Sequence, residues 1–515
     1  MTGAESLMQT MAAAGIEVCF ANPGTSEMHF LSALGLVPQV RPVLGLFEGV
    51  VTGMADGYAR ISGKPALTLM HLGPGIGNGI ANLHNARRAR SPIVNIVGDH
   101  ATYHKRWDSP LKSDIEGIAR PVSDWLRMAA SPDTVSADGA AAYAAACALP
   151  GRIATLILPA DIAWSTTAGY SQPLPAPAVV APDAAAIDRV AQILRQRGSR
   201  SALLVRAAGG EARGLQALQR ICAHTGARPL LDMLAAKSLR GAGVYPVTRI
   251  PYRAEAAVAV LDGICDLVRV GTQPPVAPFA YPHFPSWLTP ESATLAVLSH
   301  EHEDEVQALE ALADALGAPN VAPPQDLSAR PARPTGVLDA ASIGRSLARH
   351  LPEGSILSEE AISNGPALAV ETARAAPHLH LTNTGGALGQ GIPVATGAAI
   401  AAPDRKVVNV QADGSAMFTL QALWTQARER LDVVTIVLAN RSYAVLRAEV
   451  ERVGARVESA AAAALLDLGN PVIDWIALAR GMGVEAVRAD TAESFDDCLA
   501  AALRQRGPML IEAVL

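Results

Sequence analysis

The chain has 515 residues, too many for one hydrophobic core and enough for three domains of roughly 150–200 residues. Half of it is apolar, 17% is charged and only 4% is aromatic, so Ala, Val, Leu and Gly must fill the interior, which suits α/β layers better than a β-sandwich. A net charge of −6 without a strongly basic stretch argues against a nucleic-acid partner, and no apolar run reaches the length of a membrane span.

The five cysteines (Cys19, Cys147, Cys222, Cys265 and Cys498) stand singly inside apolar runs, which implies buried, reduced thiols. At the N-terminus, MTGAESLMQTMAAAGIEV is helical in period and lacks the basic region of a signal peptide, so a soluble, cytoplasmic protein is expected. ANPGTSE (21–27) reads as a Gly-Pro turn, and GLFEGVVTGMADGYAR (45–60) as a helix with Glu48 near its start. PALTLMHL and SPIVNIVG are strands, separated by the helical GNGIANLHNARRAR, whose Arg87, Arg88 and Arg90 read as a solvated helix end. The glycines at 73, 75, 77 and 79 in HLGPGIGNG (71–79) do not give the GxGxxG spacing, and SGKP (62–65) lacks the Walker pattern. What remains there is His71 at a strand end. GDHATYHKRWDSP (98–110) places His100 and His104 four apart, but on a loop, where that spacing makes no metal site.

Two proline-rich stretches, 166–186 and 318–336, read as linkers and divide the chain into 1–165, 186–317 and 337–515. In the middle block RSALLVRAA and DLVRVG are strands, FAYPHFPS carries His283, and SHEHEDE (299–305) reads as a solvated turn. In the last block GSILSEE, KVVNVQ, VVTIVLA and PMLIEAVL are strands, and NTGGALGQGIP (383–393) is a loop without dinucleotide spacing. Near-continuous apolar strands alternating with helices imply parallel sheets covered on both faces, hence three doubly wound α/β domains.

KVVNVQ leads into Asp413, MFTLQALWTQARER is expected to form the crossover helix, and VVTIVLA ends at Asn440. A right-handed βαβ unit brings both oxygens to one sheet edge, where α/β ligands bind. With a loop carbonyl such as that of Ser442, three hard oxygen donors face one spot and suit Mg²⁺, while Gly414 and Ser415 would open a helix towards phosphates. The alternative is structural: Asp413 as an N-cap and Asn440 as a turn residue.

This stretch resembles the thiamine diphosphate motif, an acidic GDG-type turn followed nearly thirty residues later by Asn, of the family that includes benzoylformate decarboxylase, pyruvate decarboxylase and acetolactate synthase. Ala412 replaces the first Gly, and Arg441 stands where many members have Asn or Gly. The resemblance runs the length of the chain and implies a pyrimidine-binding, a central and a pyrophosphate-binding domain. It implies Mg²⁺ on Asp413, Asn440 and the Ser442 carbonyl, and cofactor contacts from Glu48, Gly386, Leu388, Gly414, Ser415, Asn440 and Tyr443. Glu48 matches the glutamate that holds the aminopyrimidine in its imino form, so that the thiazolium C2 proton leaves and a nucleophilic ylide forms. Leu388 matches the residue that bends the cofactor. Thr25, His71 and His100 fall where substrate-contacting groups are expected, and His283 aligns loosely with a further active-site histidine. The implied reaction is decarboxylation of a small 2-oxo acid through an enamine, in a homodimer or homotetramer whose sites are shared between copies. Acetolactate synthase-type carboligation is the alternative. It is weakened by Leu111 where those enzymes place Gln, by Ala160 where they place Lys, and by Arg206 in LLVRAAGGEA, where they carry the glycine-rich loop for FAD. A catalytically degenerate binding subunit is a third reading. The absence of a dinucleotide fingerprint disfavours FAD and nicotinamide cofactors.

Overall fold

The computed structural model describes residues 1–322, 324 and 330–515, so part of the second proline-rich stretch lies outside the described residues. Three sheets dominated by parallel pairing organise the chain. The first has six strands in the chain order 2-1-3-4-6-5: Val18–Asn22, Arg41–Leu44, Ala66–Met70, Ile93–Asp99, Trp125–Met128 and Ile153–Pro159. All its pairings are parallel, and Ala66–Met70, Ile93–Asp99 and Ile153–Pro159 are buried throughout, as their near-continuous apolar sequences lead one to expect.

The central sheet runs Thr248–Arg249, Arg228–Leu231, Ser201–Val205, Asp266–Val270, Thr294–Ser299, an order 3-2-1-4-5 that reverses between Ser201–Val205 and Asp266–Val270. The third sheet has seven strands: Glu485–Ala489, Met509–Val514, Val433–Ala439, Val407–Ala412, Ile356–Glu360, His378–Thr382 and Lys237–Arg240. Its last strand comes from the middle of the chain and pairs antiparallel with His378–Thr382. Reading the chain in successive blocks does not anticipate that exchange, because a four-residue KSLR carries no apolar period.

Helix Glu48–Ser62 lies against helix Gly391–Ala401, and their contact merges the interiors of the first and third sheets into one core containing Phe20, Met54, Tyr58, Ile392, Val394 and Val407. Glycines allow the approach: a Cβ on Gly57 would lie 2.0 Å from the Val394 carbonyl oxygen, and one on Gly397 would lie 1.9 Å from that of Met54. Three of the glycines of HLGPGIGNG, Gly73, Gly75 and Gly79, are explained by packing as well, whereas Gly77 has open space at its Cβ. They sit in helix Leu72–Ala89, where a Cβ on Gly79 would press on Met70 and Thr52 at 3.0 Å. The crossover after Asp413 is not one helix. Asp413–Ala416 makes a single turn, the chain then breaks, and Ala422–Arg428 resumes. The break lets the Thr419 hydroxyl donate to the Gly389 carbonyl at 2.8 Å.

Two solvated readings are corrected. Arg87 and Arg88 are exposed, but Arg90 turns inward, donating to the Gly271 carbonyl at 2.8 Å and pairing with Glu301. In SHEHEDE, Glu305 is buried and opens helix Glu305–Leu316. Among the described residues no helix is long and apolar enough to cross a membrane.

Candidate active site

At the carboxyl edge of the third sheet, Ala412 pairs with Leu438, so Asp413 and Asn440 leave neighbouring strands at nearly the same level. The Asp413 carboxylate accepts from the Gly414 N–H at 2.8 Å and from the Arg441 N–H at 2.7 Å. Arg441 turns its N–H back by adopting φ +55°, the left-handed conformation, directly after Asn440. Asn440 Oδ1 accepts from the Ser442 N–H at 3.1 Å, and the Ser442 hydroxyl donates to the Leu466 carbonyl. Tyr443 packs on Gly414, where a Cβ would lie 2.5 Å from its ring. Asp413 and Ser415 are both buried. Burial pushes the Asp413 carboxyl above the usual carboxylate range, with the Arg441 and Gly414 amides acting against it. The structure thus brings Asp413, Gly414, Ser415, Asn440, Ser442 and Tyr443 together.

The loop carrying Gly386 (φ +78°) and Leu388 is tied to both sheets. From the first, Asn82 Nδ2 donates to the Gly49 carbonyl at 2.8 Å and to that of Gly389 at 3.3 Å, and Asn85 exchanges hydrogen bonds with Ala387. From the third, Glu360 accepts from the N–H of Gly389 at 2.9 Å, the N–H of Gly391 at 2.7 Å and Gln411 Nε2 at 2.7 Å. Burial pushes the Glu360 carboxyl upward too, so this loop is held by a desolvated acid. Sequence reasoning missed Glu360; a carboxylate closing the strand GSILSEE, like the one after KVVNVQ, was the available signal.

The first sheet contributes a second set at its own carboxyl edge. Glu48 begins its helix buried, with Oε2 accepting from Asn78 Nδ2 at 3.0 Å and Oε1 lying over Gly75. His71 follows strand Ala66–Met70, and Leu72 at φ +49° turns the chain sharply into the next helix. His71 Nδ1 lies 2.8 Å from the buried Glu27 carboxylate, which also accepts from the Gly24 N–H at 2.8 Å. A proton on Nδ1 shared with Glu27 leaves Nε2 as the nitrogen open to a ligand. Ser26, not Thr25, completes this contact, at 3.2 Å from Nδ1; Thr25 is exposed. Glu27 also went unrecognised from the sequence, because its partners Gly98 and His71 are distant in the chain. A Cβ on Gly98 would lie 1.7 Å from its Oε1.

His100 follows Asp99 on the adjacent strand, its Nε2 3.0 Å from the Ser109 hydroxyl and its ring 5.4 Å from that of His104. His283 is exposed on a loop of the central unit with φ +71°. Among the described residues no three His, Cys, Asp or Glu side chains gather as a metal site. The oxygen set around Asp413 contains a single carboxylate and is of a different kind.

Two strand-end sites at the edges of parallel sheets, one built on a carboxylate and an amide, define a ligand-binding α/β protein of the cofactor-dependent type. Residues 1–118 match the family model for the thiamine pyrophosphate enzyme N-terminal TPP binding domain, and residues 367–513 match that for the C-terminal TPP binding domain. A Mycobacterium tuberculosis protein described as "Putative acetolactate synthase large subunit IlvX" is 49% identical over 100% of this chain and 99% of its own. Benzoylformate decarboxylase of Pseudomonas aeruginosa is 30% identical over 97% of this chain and 96% of its own. The structure of a thiamine diphosphate-dependent 4-hydroxybenzoylformate decarboxylase from Rhodococcus jostii superimposes with a TM-score of 0.85 at 25% identity, covering 99% of this chain and 98% of that one. The chain belongs to the thiamine pyrophosphate enzymes, in the family of acetolactate synthase and benzoylformate decarboxylase.

Proposed function

We propose that the protein is a thiamine diphosphate- and Mg²⁺-dependent carbon–carbon lyase that decarboxylates a small 2-oxo acid. The observation that carries this reading is the edge of the third sheet, where Asp413 and Asn440 meet beside the loop of Leu388. The residues fit the group. Asp413, the Asn440 amide oxygen and the Ser442 carbonyl are hard donors of the kind Mg²⁺ takes, and a buried carboxylate with only amide partners gains from a cation. Gly386, Leu388, Gly414, Ser415 and Tyr443 would form the remaining walls. Bound thiamine diphosphate supplies a nucleophilic carbon and an electron sink.

The chain's own groups do the rest. Glu48, fixed by Asn78, would hold a proton at the pyrimidine N1′. His71, fixed by Glu27, would present Nε2 to the substrate or donate its proton, with Thr25 and His100 on the same edge. Specificity for a particular 2-oxo acid would rest on small differences between pocket walls, about 1–3 kcal/mol per methylene.

Acetolactate synthase-type carboligation is the second reading, favoured by the name of the 49%-identical relative. Against it, Leu111 is partly exposed on its loop and Ala160 is a small buried residue opening a helix, so neither supplies the Gln or Lys of that type. Assays of benzoylformate, pyruvate and branched 2-oxo acids for CO₂ release, with products identified, separate the readings. An aldehyde is expected. A 2-hydroxy-2-alkyl-3-oxo acid as the main product would establish carboligation, and no turnover of any 2-oxo acid by the Mg²⁺- and cofactor-loaded protein would overturn both.

A further inference from the structure

We infer that the dinucleotide crevice of the central unit is closed by the chain's own Glu305 and Arg206, so that the protein carries no flavin and binds no adenine nucleotide there. The central sheet has the strand order in which such ligands bind, and the crevice belongs where the order reverses. Val205 and Val270 are register partners at that point, so Arg206 and Gly271 face each other across it.

The groups that a dinucleotide pyrophosphate would use are already taken. The Glu305 carboxylate accepts from the backbone N–H of Arg206 at 3.2 Å and of Ala208 at 3.0 Å, the amides that open the Ala-Gly-Gly turn. It also covers Gly271, where a Cβ would lie 2.1 Å from Oε1. The place of a bound anion in the turn is therefore already taken by a side-chain carboxyl group. The Arg206 guanidinium, itself buried, reaches Asp232 at 3.5 Å and the Arg88 carbonyl, while Thr272 donates to the same Asp232 carboxylate. Arg90, arriving from the first unit, bonds the Gly271 carbonyl and Glu301 and covers the mouth. Among the described residues the crevice is thus filled by two ion pairs, Arg206–Asp232 and Arg90–Glu301, and by the Glu305 carboxyl on the turn amides, and entry of a ligand would have to break them together.

This inference is independent of which 2-oxo acid reaction the protein performs, because the thiamine site is built on the other two sheets. The test uses the intact purified protein and three probes: ADP, FAD and inorganic pyrophosphate. No flavin absorbance is expected after acid release, and calorimetry is expected to show no binding of ADP or FAD at about 1 mM, the range of the weakest complexes. Glu305→Ala, confirmed as folded by circular dichroism, frees two N–H groups and is expected to gain binding of pyrophosphate or ADP that Glu305→Gln does not. Stoichiometric FAD or ADP in the wild type, lost in Arg206→Ala, overturns the inference. So does a folded Glu305→Ala that takes up no anion. Should that variant fail to fold, the wild-type titrations decide.

Discussion

His71 meets its partner Glu27 only in the folded chain, and the pair rests on a glycine. A methyl group at position 98 would lie 1.7 Å from Glu27 Oε1, so Gly98→Ala must push the carboxylate away from His71. Such overpacking costs about 1–3 kcal/mol, and denaturant melts are expected to show that loss together with a fall in turnover. Glu27→Gln keeps the volume and removes the charge, so it should lower turnover while leaving stability closer to wild type. Equal losses in both measurements would mean that Glu27 is only a structural acid. At Asp413 the sign of the pH effect follows from burial. Its carboxyl is raised in the fold, so in the metal-free protein its contribution to stability is full below the ordinary carboxylate range and is lost as pH rises through the raised value. A cation needs the ionised form, so Mg²⁺ binding is expected to release a proton and to weaken by up to about tenfold per pH unit below that value. Calorimetry in buffers of different ionisation enthalpy measures the proton; binding that releases none would contradict the raised carboxyl, and Mg²⁺ binding that survives Asp413→Ala would contradict the metal assignment. The Asp413–Asn440 pair was legible because strand endings are local in sequence. Glu360 offered the same strand-end signal and was overlooked; Glu27 offered none, because its partners come from distant segments and a buried acid looks like any other Glu until those partners are placed.

Among the elements, the strands with long apolar runs, such as Ala66–Met70, Val407–Ala412 and Val433–Ala439, could be read, whereas short ones such as Arg41–Leu44 and Lys237–Arg240 could not. The helix between Asp413 and Asn440 could be read in position but not in its break. That break exists because Thr419 must reach Gly389, a contact thirty residues away. The pairing of helix Glu48–Ser62 with Gly391–Ala401 was likewise invisible to period alone, since glycines inside a helix lower its propensity and give no sign of what they approach. In the fold they meet backbone. A Cβ on Gly57 or Gly397 would lie about as close to a carbonyl oxygen as a hydrogen does, at 2.0 Å and 1.9 Å, and neither backbone can rotate away. Gly397→Ala should therefore cost at least the 1–3 kcal/mol of ordinary overpacking, roughly the upper end or more, and separate the first and third sheets. Gly77→Ala, in the neighbouring glycine-rich helix with open space at its Cβ, is the control and should gain about 0.5–1 kcal/mol of helix propensity. A Gly397→Ala variant as stable as Gly77→Ala would refute close helix packing as the reason for these glycines.

At the scale of the whole molecule, Glu48 stands on the first sheet and Asp413 on the third, and a single chain leaves large apolar side chains bare beside the latter. Phe418 is 52% exposed one turn after Asp413, and Leu446 is 45% exposed in the helix that follows Asn440, with Met417 and Val445 next to them. Apolar groups gathered at a binding edge mark a surface that something else covers. A second copy, related by a two-fold axis, would cover it with the same surface from both sides. The proposal is that each site takes Glu48 from one copy and Asp413 from the other. Two inactive variants then become informative together. Glu48→Gln should bind the cofactor yet slow hydrogen–deuterium exchange at its C2 by about 10²–10⁴-fold, the usual weight of general acid–base help. Asp413→Ala should fail to bind it. After co-refolding in equal amounts, half the dimers are mixed, and half the sites in each mixed dimer are intact, so about a quarter of wild-type activity is expected to return. The intact site joins Glu48 of the Asp413→Ala chain to Asp413 of the Glu48→Gln chain; the other site carries both defects. Mixed pairs isolated on two affinity tags that remain inactive would place Glu48 and Asp413 of each site within one chain, and light scattering of a fully active monomer would do the same.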